Sequence, residues 1–424
     1  MKRKPRIIWM ILGTVLLCSF PGGCALGQML DEIPREFSLL TTASEDMTQE
    51  SQRVLLPEAG GEILQEVSAL GATVGESFLM QEVFPYACGG LSRAEQVWYH
   101  DMERILGNFG EGMELSAEGL AAGMDESNID RIFQCVMADH PELFYVEGYS
   151  YLKYTKGNRL ISIEFSGTYS MDRETAEGRR EEILAAAEEI LAGVEKDASD
   201  YDKVKYVYDT LICNTDYSLD APDNQNIYSV FVNHLSVCQG YAKATQYLLN
   251  RLGVECTLVL GHVDTGEGHA WNLVKVDGEY YYVDTTWGDV SYQTEGVPPV
   301  LPSGPAINYD YLNVTTEEIL RTHSIGGEVP MPQCVATEAN YYVREGALFS
   351  SYDREQMAEL FRRKIQEGQE AVTVKCTDAV CYGEVLDALV GKQEIFSYLP
   401  DREGSIAYAQ NEKQLSVTFW VTKE

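Results

Sequence analysis

The feature that most constrains the fold is a predicted helix followed closely by a predicted β-hairpin in the middle of the chain. Residues 236–252 carry apolar side chains three and four positions apart, the spacing of a helix with one buried face. Ser236 is a candidate N-cap, and Gly253 stands where helices commonly end in the left-handed conformation. Three segments rich in Val, Leu, Tyr and Trp predict strands: 258–261, 269–276 and 279–284.

The turn between the last two predicted strands fixes their pairing. Asp277 and Gly278 form a dipeptide that strongly favours a two-residue hairpin turn. With this turn, Val276 pairs with Glu279. A slip of one residue would move every side chain of the strand to the opposite face, so inferences about the hairpin depend on this register.

Counting outward from the turn places Trp271 opposite Asp284 and His269 opposite Thr286. His269 and Asp284 then lie diagonally on one face of the hairpin, with backbones roughly 7–8 Å apart. Because this separation is within side-chain reach, we expect the carboxylate of Asp284 to accept a hydrogen bond from one ring nitrogen of His269.

Cys238 lies in the first turn of the predicted helix, where free backbone N–H groups and the helix dipole favour an anion. A thiol needs such a position, or a neighbouring imidazole, to be a thiolate near neutral pH. We therefore predict Cys238 as a nucleophile, His269 as its base and Asp284 as the residue that orients the base. His234 and His262 are competing bases, but neither has an acidic partner across a predicted hairpin.

Three sequence blocks surround the predicted site residues: VCQGYA at 237–242, GHAWN at 268–272 and YVDTTW at 282–287. They resemble the transglutaminase-like superfamily, and its bacterial extracytoplasmic members most closely. The resemblance implies an α+β fold with a papain-like core, in which the helix that bears the thiol packs on an antiparallel sheet. It also implies the roles assigned above to Cys238, His269 and Asp284.

Active members of this superfamily attack an amide with the thiol, so the resemblance implies a peptide or protein amide substrate and a thioester intermediate. Transfer to a primary amine gives transglutaminase-like acyl transfer, and transfer to water gives hydrolysis. A cysteine peptidase of the cell envelope and a non-catalytic binding module are alternatives, because a shared fold does not fix the reaction. We expect no cofactor: animal cross-linking members use calcium, but no loop has oxygen ligands at EF-hand spacing.

Several residues near the three blocks have open roles. Trp271 and Trp287 either wall the cleft or pack in the core. Tyr217 and Gln225 are weak candidates for a second oxyanion donor.

A metal site is an alternative for one further group of residues. Its members are His262, Asp264, His269 and Cys256. Their spacing matches no standard zinc pattern, so we predict no metal there.

The first 23 residues predict a secretory signal. Basic residues precede an apolar run at 7–20, and Pro-Gly-Gly stands before Cys24. This arrangement resembles a bacterial lipobox, although Pro21 occupies a position where an aliphatic residue is usual. We expect an extracytoplasmic protein anchored to the cell membrane by a lipid on Cys24. Plain secretion and a retained signal anchor are the alternatives.

Charge and cysteine content restrict the partners and the redox chemistry. A formal net charge of −34 disfavours nucleic acid and anionic headgroups as partners, and it is explained by the solubility of an exported protein. Attraction to basic peptides or amine-bearing wall material is the alternative explanation. Setting aside Cys18, Cys24 and Cys238 leaves an odd number of cysteines, so we do not expect a full disulfide framework. Cys376 and Cys381 either bridge or stay free.

Composition and periodicity divide the chain into five segments. They are a signal peptide at 1–23, a tether at 24–88, an N-terminal α+β domain at 89–195, a transglutaminase-like catalytic domain at 196–330 and a C-terminal α+β domain at 331–424. The sequence of the last segment gives no indication of chemistry.

Overall fold

The structure is a computed structural model that describes residues 84–156, 159–289, 307–399 and 406–421, and the backbone of 8–11. The chain mixes helices with antiparallel sheets, which confirms the predicted α+β class. Cys24 and most of the predicted tether lie outside the described residues. Within the described part of the chain, no helix has the length and apolar character needed to span a bilayer.

The contacts of the chain group into two compact units. The first comprises Met1–Met137 and Tyr145–Ala176, and the second comprises Ala138–Phe144 and Glu177–Glu424. The segments predicted as the catalytic and C-terminal domains therefore both fall in the second unit, and the boundary between them stays a prediction.

Among its described residues, the first unit contains four α-helices and a four-stranded antiparallel sheet. The helices are α1 (Tyr86–Gly89), α2 (Arg93–Gly107), α3 (Ala117–Ala121) and α4 (Ile129–Asp139), whose last two residues belong to the second unit. The strands are β1 (Ile8–Ile11), β2 (Met113–Glu114), β3 (Val146–Lys156) and β4 (Arg159–Tyr169), in the order β1-β3-β4-β2. β1 falls within the predicted signal peptide, whose cleavage stays a prediction.

Local sequence explains why α2 begins where it does. The Ser92 hydroxyl accepts from the Glu95 amide, and the Glu95 carboxylate accepts from the Ser92 amide, which together form a capping box. Trp98 and Met102 on this helix are fully buried, as are Phe133 on α4 and Phe165 on β4. Burial of these large apolar side chains supplies the main driving force for folding of the first unit.

The second unit contains the remaining helices and two four-stranded sheets. The helices are α5 (Arg173–Leu191), which starts in the first unit, α6 (Asp200–Asn214), α7 (Cys238–Arg251), α8 (Thr285–Gly288), α9 (Thr316–Ile319), α10 (Tyr341–Arg344), α11 (Arg354–Gln366) and α12 (Ala379–Leu386). Two short strands, β5 (Asp216–Tyr217) and β6 (Leu235–Ser236), pair in parallel.

The central sheet lies in the predicted catalytic segment, and the C-terminal sheet lies beyond it. The central sheet has β7 (Cys256–Val263), β8 (Gly268–Val276), β9 (Glu279–Val283) and β10 (His323–Gly326), in the antiparallel order β10-β7-β8-β9. The C-terminal sheet has β11 (Leu348–Phe349), β12 (Ala371–Cys376), β13 (Ala407–Asn411) and β14 (Ser416–Trp420), in the order β11-β12-β14-β13.

The predicted hairpin register is confirmed, because Val276 pairs with Glu279. Asp277 and Gly278 both have positive φ, at 52° and 89°, as a type I′ turn requires. The predicted pairing of His269 with Thr286 is wrong. The ladder stops at Val283, and Asp284 caps the short helix α8 that contains Thr286.

The helix that carries the thiol starts one residue later than predicted. Val237 is its N-cap, with an extended backbone at φ −120° and ψ 178°, so the assignment of Ser236 as N-cap is wrong. Ser236 lies in β6, and its hydroxyl bonds the Asn224 carbonyl and the Ser229 hydroxyl instead. Gly253 has φ 75°, the left-handed conformation predicted for the end of the helix.

Candidate functional site

Cys238 is the first residue of α7 and is partly exposed. The chain enters this helix from β6, and the amides of Gly240 and Tyr241 bond to the Val237 carbonyl. A β-carbon at position 240 would collide with the buried Ser236 hydroxyl and lie 3.0 Å from the Asn224 carbonyl oxygen. Glycine two residues after the cysteine therefore lets the helix start pack directly against the chain before it.

The start of α7 has backbone donors available beside the thiol. Among the described residues, the amides of Cys238 and Gln239 have no protein acceptor. Such N–H groups at a helix start favour a negative charge, either a thiolate or an oxyanion.

His269 and Asp284 form a buried pair on the central sheet. Nε2 of His269 lies 2.7 Å from Oδ2 of Asp284, and the exposed fractions of the two side chains are 2% and 0%. His269 is near the start of β8, and Asp284 follows the last residue of β9. The structure therefore brings together the two residues that the hairpin register placed within reach of each other.

Three further contacts hold Asp284 in place. Its amide donates to the Tyr311 carbonyl at 3.0 Å, and its Oδ1 accepts from the Trp287 amide at 3.0 Å. Oδ2 accepts from His323 as well as from His269. A buried carboxylate with this many donors is stable in its charged form.

The Cys238 side chain lies close enough to His269 to help raise the pKa of that imidazole. Because Nε2 of His269 faces Asp284, the nitrogen left for the thiol is Nδ1. Sulfur, imidazole and carboxylate therefore stand in the order needed for proton transfer between the thiol and the ring.

Charge interactions dominate the pKa of both buried partners. Burial by itself disfavours the imidazolium, but Asp284 and Cys238 together raise the pKa of His269 to about 10. Burial likewise disfavours the carboxylate, yet His269 and His323 hold the pKa of Asp284 well below its ordinary value. Near pH 7 the pair is thus an imidazolium beside a carboxylate.

His323 is a member of the site that the sequence analysis missed. It is the first residue of β10, it is fully buried, and its Nε2 lies 3.0 Å from Oδ2 of Asp284. No motif surrounds it in the sequence. Only the pairing of β10 with β7, in which His323 stands opposite Val263, brings it to the site.

One group of described side chains is compact enough to be considered for a metal. The ligand atoms of His269, Asp284 and His323 lie within 4.8 Å of one another. The separations of 2.7 and 3.0 Å between each Nε2 and the shared oxygen are those of N–H···O hydrogen bonds, so we interpret the group as hydrogen-bonded.

The residues proposed as the alternative metal set do not form such a group among the described residues. His262 and Asp264 are exposed, and Asp264 forms an ion pair with Lys413. Cys256 is buried, where desolvation raises the pKa of its thiol.

Both predicted tryptophans lie beside the histidines. Trp271 is fully buried, with its ring 5.9 Å from that of His269 and 5.0 Å from that of His323. Trp287 is partly exposed, with its ring 4.8 Å from that of His323. Trp271 therefore supports the histidines from the core, and of the two only Trp287 reaches solvent.

The backbone brings both candidate oxyanion residues beside the segment that leads into Cys238. Tyr217 pairs with Ser236, and Gln225 follows Asn224, whose carbonyl accepts from the Val237 amide. Their role as donors stays a prediction. His234, a competing base, lies in the left-handed conformation at the end of the π-helical turn Ser229–Asn233.

The described cysteines are all free thiols. Cys213 is exposed, and Cys376 and Cys381 are buried with their side chains in contact. Burial raises the pKa of both of these last thiols, so neither resembles an activated nucleophile.

Comparison with known proteins agrees with this geometry. The Transglutaminase-like superfamily matches residues 185–285, a region that contains Cys238, His269 and Asp284. This confirms the resemblance inferred from the three sequence blocks. His323 lies outside the matched region.

One curated relative and several solved structures are similar to part of this chain. The kyphoscoliosis peptidase of Mus musculus is 26% identical over 106 residues, which are 21% of this chain and 16% of that protein. A crystal structure of a TGase is 18% identical, covering 37% of this chain and 47% of that one, with a TM-score of 0.25. The periplasmic domain of TgpA from Pseudomonas aeruginosa is 17% identical over 31% of this chain and 56% of that one, with a TM-score of 0.20. Each similarity covers only part of both chains.

Proposed function

Since residues 185–285 form a transglutaminase-like core, we propose that this protein is an extracytoplasmic thiol enzyme that attacks peptide or side-chain amides through Cys238. The observation that carries the proposal is the arrangement around His269. Its Nε2 lies 2.7 Å from a buried Asp284 oxygen, and the Cys238 side chain is near enough to raise the pKa of the ring.

The reaction begins from a thiolate–imidazolium pair, in which the proton of the Cys238 thiol is held on Nδ1 of His269. The thiolate attacks the amide carbonyl, and the oxyanion that forms is stabilised by the free amides of Cys238 and Gln239. The imidazolium then gives its proton to the departing amine as the C–N bond breaks. The product of this half-reaction is a thioester on Cys238.

The thioester is resolved by a second nucleophile. His269 takes a proton from an incoming primary amine or water as that molecule attacks the thioester carbonyl, and the thiolate leaves. An amine gives acyl transfer, and water gives hydrolysis. Throughout both halves, Asp284 orients the ring and stabilises its charged form.

Two measurements test this proposal. The Cys238 thiol of the wild type should react with iodoacetamide near pH 7 faster than the exposed Cys213 thiol, and Cys238→Ala should remove the fast phase. Incubation with a glutamine-containing peptide and an amine probe, followed by mass analysis, then separates the outcomes. Incorporation of the amine indicates acyl transfer, and hydrolysed peptide indicates amidase or peptidase activity. If neither product forms and Cys238 reacts slowly with iodoacetamide, the enzyme proposal is overturned in favour of a binding module.

The proposed location outside the cytoplasm rests on the predicted signal peptide and on Cys24. A lipid on Cys24 would hold the acidic body of the protein at the membrane, with cell-wall material as a source of peptide amides and amines. The net charge of −34 is compatible with such amine-bearing partners.

A further inference from the structure

Both ring nitrogens of His323 have partners in the core. Nε2 lies 3.0 Å from Oδ2 of Asp284, and Nδ1 lies 2.8 Å from the Thr322 hydroxyl. A carboxylate oxygen only accepts, so the hydrogen must be on Nε2. In the neutral ring Nδ1 is then an acceptor, and the Thr322 hydroxyl donates to it.

The direction of the Thr322 hydroxyl is set in turn by Gln414. The Gln414 amide nitrogen lies 3.4 Å from Oγ1 of Thr322 and 3.2 Å from the Glu318 carbonyl. Because this nitrogen only donates, Thr322 accepts from Gln414, and the nearest acceptor for its own hydrogen is Nδ1 of His323 at 2.8 Å, with the Tyr311 hydroxyl at 3.5 Å. Gln414 is fully buried in the turn between β13 and β14.

Gln414 is itself oriented by a buried ion pair. Its carbonyl oxygen lies 3.4 Å from Nζ of Lys375, and that nitrogen lies 3.2 Å from Oδ1 of Asp310. The other Asp310 oxygen accepts from Asn411 at 3.0 Å and from Ser416 at 2.6 Å. A lysine cation only donates, so the amide of Gln414 cannot flip without losing this bond.

These contacts form one continuous buried chain from the C-terminal sheet to the site. We propose that His323 is a positioning residue for Asp284, and that the turn between β13 and β14, held to β12 by Lys375, keeps His323 in place through Gln414 and Thr322. The inference rests on the proposed function. It adds that the C-terminal segment, whose sequence gave no indication of chemistry, supports the active site through buried contacts.

The physical reason is the number of donors that a buried carboxylate needs. With the Trp287 amide on Oδ1 and two imidazoles on Oδ2, the Asp284 carboxylate is fixed in rotation and aims one oxygen at His269. Removing the His323 donor leaves a buried charge with one bond fewer, and the carboxylate gains freedom to turn away.

A matched pair of amide variants tests the first half of the proposal. In His323→Gln the side-chain nitrogen stands near the position of Nε2 and can donate to Asp284, whereas His323→Asn places its amide near Nδ1 and cannot reach. We expect the iodoacetamide rate of Cys238 to stay within about threefold of wild type in the Gln variant and to fall about tenfold or more in the Asn variant. Equal rates in the two variants would overturn the positioning role, because loss of packing affects both alike.

Two further comparisons keep the proposal testable if His323→Asn does not fold. Thr322→Val keeps the shape of the side chain but removes the hydroxyl, and Thr322→Ser keeps the hydroxyl. Cys238 should therefore react more slowly with iodoacetamide in the Val variant and at close to the wild-type rate in the Ser variant.

Gln414→Glu keeps an acceptor for Lys375 but removes the donor to Thr322, and we expect an iodoacetamide rate about threefold or more below wild type. Gln410→Glu makes the same change at an exposed position of the same hairpin and should leave the rate unchanged.

Each rate is read by peptide mass analysis relative to Cys213 in the same molecule, the exposed thiol among the described cysteines. Unfolding curves of each variant show whether the fold is retained. A slow Cys238 in the wild type would contradict the proposed function itself. A fast wild type with no difference within either the 323 pair or the 322 pair would contradict only the present inference.

Discussion

Nε2 of His269 lies 2.7 Å from Oδ2 of Asp284 at the point where strand β9 gives way to helix α8. The strand brings the carboxylate to the correct edge of the sheet, and the helix start turns its other oxygen toward the Trp287 amide. The same residue therefore caps a helix and orients an imidazole. Capping needs only an accepting oxygen, whereas stabilising the imidazolium needs the charge, so removing the charge affects the second role and can leave the first intact.

Asp284→Asn should slow the reaction of Cys238 with iodoacetamide by at least about tenfold at pH 7. The amide has the shape of the carboxylate but no charge, and burial then favours the neutral form of His269, so its pKa falls from about 10. The measurement is the alkylation rate of Cys238 relative to Cys213. Asp264→Asn, at an exposed carboxylate, is the control and should react as the wild type does. An unchanged rate in Asp284→Asn would mean that the carboxylate does not govern the thiol.

The raised pKa of His269 also predicts how stability depends on pH. A group whose folded pKa lies above its unfolded value of about 6.5 stabilises the fold fully below that pH, and this stabilisation is lost as the pH rises toward about 10. Urea unfolding of the wild type and of His269→Gln, at about pH 6, 8 and 10, measures it. The free-energy difference between the two proteins should shrink as the pH rises. A constant difference would show that the pKa of His269 is the same in the folded and the unfolded protein, and a difference that grows with pH would show that His269 is neutral in the folded protein.

The contacts that the sequence predicted correctly are those set by neighbouring residues. Asp277 and Gly278 determine the turn, the turn determines the register, and the register brings His269 within reach of Asp284. The end of the hairpin could not be predicted in the same way. The backbone of Asp284 bonds to Tyr311, far along the chain, and this contact ends the ladder before Thr286.

The residues that the sequence analysis missed are brought in by distant strands. His323 reaches Asp284 only because β10 pairs with the far edge of the central sheet, and neither strand indicates the other as partner. Gln414 lies in a turn, where a polar residue is normally exposed, yet it is fully buried. A weak signal was present at Lys375, a lysine between Val374 and Cys376 in an otherwise apolar strand, which requires a buried partner.

Gly240→Ala should destabilise the second unit by about 1–3 kcal/mol. A β-carbon at this position would meet the Ser236 hydroxyl and the Asn224 carbonyl, neither of which can withdraw without breaking a buried hydrogen bond. Cys238 should also react more slowly, because the helix start must shift. Gly178→Ala is the matched control: it lies in helix α5 with open space around it and should be neutral or stabilising by about 0.5–1 kcal/mol. Equal unfolding free energies for the two variants would contradict the packing argument.

Cys24→Ser should release the protein from the membrane when it is expressed with its own leader in a bacterium. The expected cause is loss of the thiol that would carry the lipid. Without it the protein lacks the several acyl chains on which a lipoprotein anchor depends, because a single chain binds membranes only marginally. Detergent phase partitioning and the intact mass of the purified protein measure the change. An identical distribution and no lipid mass in the wild type would favour plain secretion.

Removing one member of the buried ion pair between Lys375 and Asp310 should strongly lower the free energy of unfolding. Removing both members should cost less than the two single changes added together. The exposed fractions of the two side chains are 1% and 4%, so Lys375→Met strands a carboxylate and Asp310→Asn strands an ammonium group in the core. Each single variant should lose about 3–5 kcal/mol of unfolding free energy. In the double variant neither charge is left alone, and the loss should be smaller than the sum of the two, as measured by urea unfolding in a double-mutant cycle.

Asn411 and Ser416 also donate to Asp310, so part of the cost of Asp310→Asn will persist in the double variant, whereas the cost of Lys375→Met will not. Strict additivity would show that the two charges do not interact, and the chain of contacts from the C-terminal sheet to Asp284 would then lack its anchor.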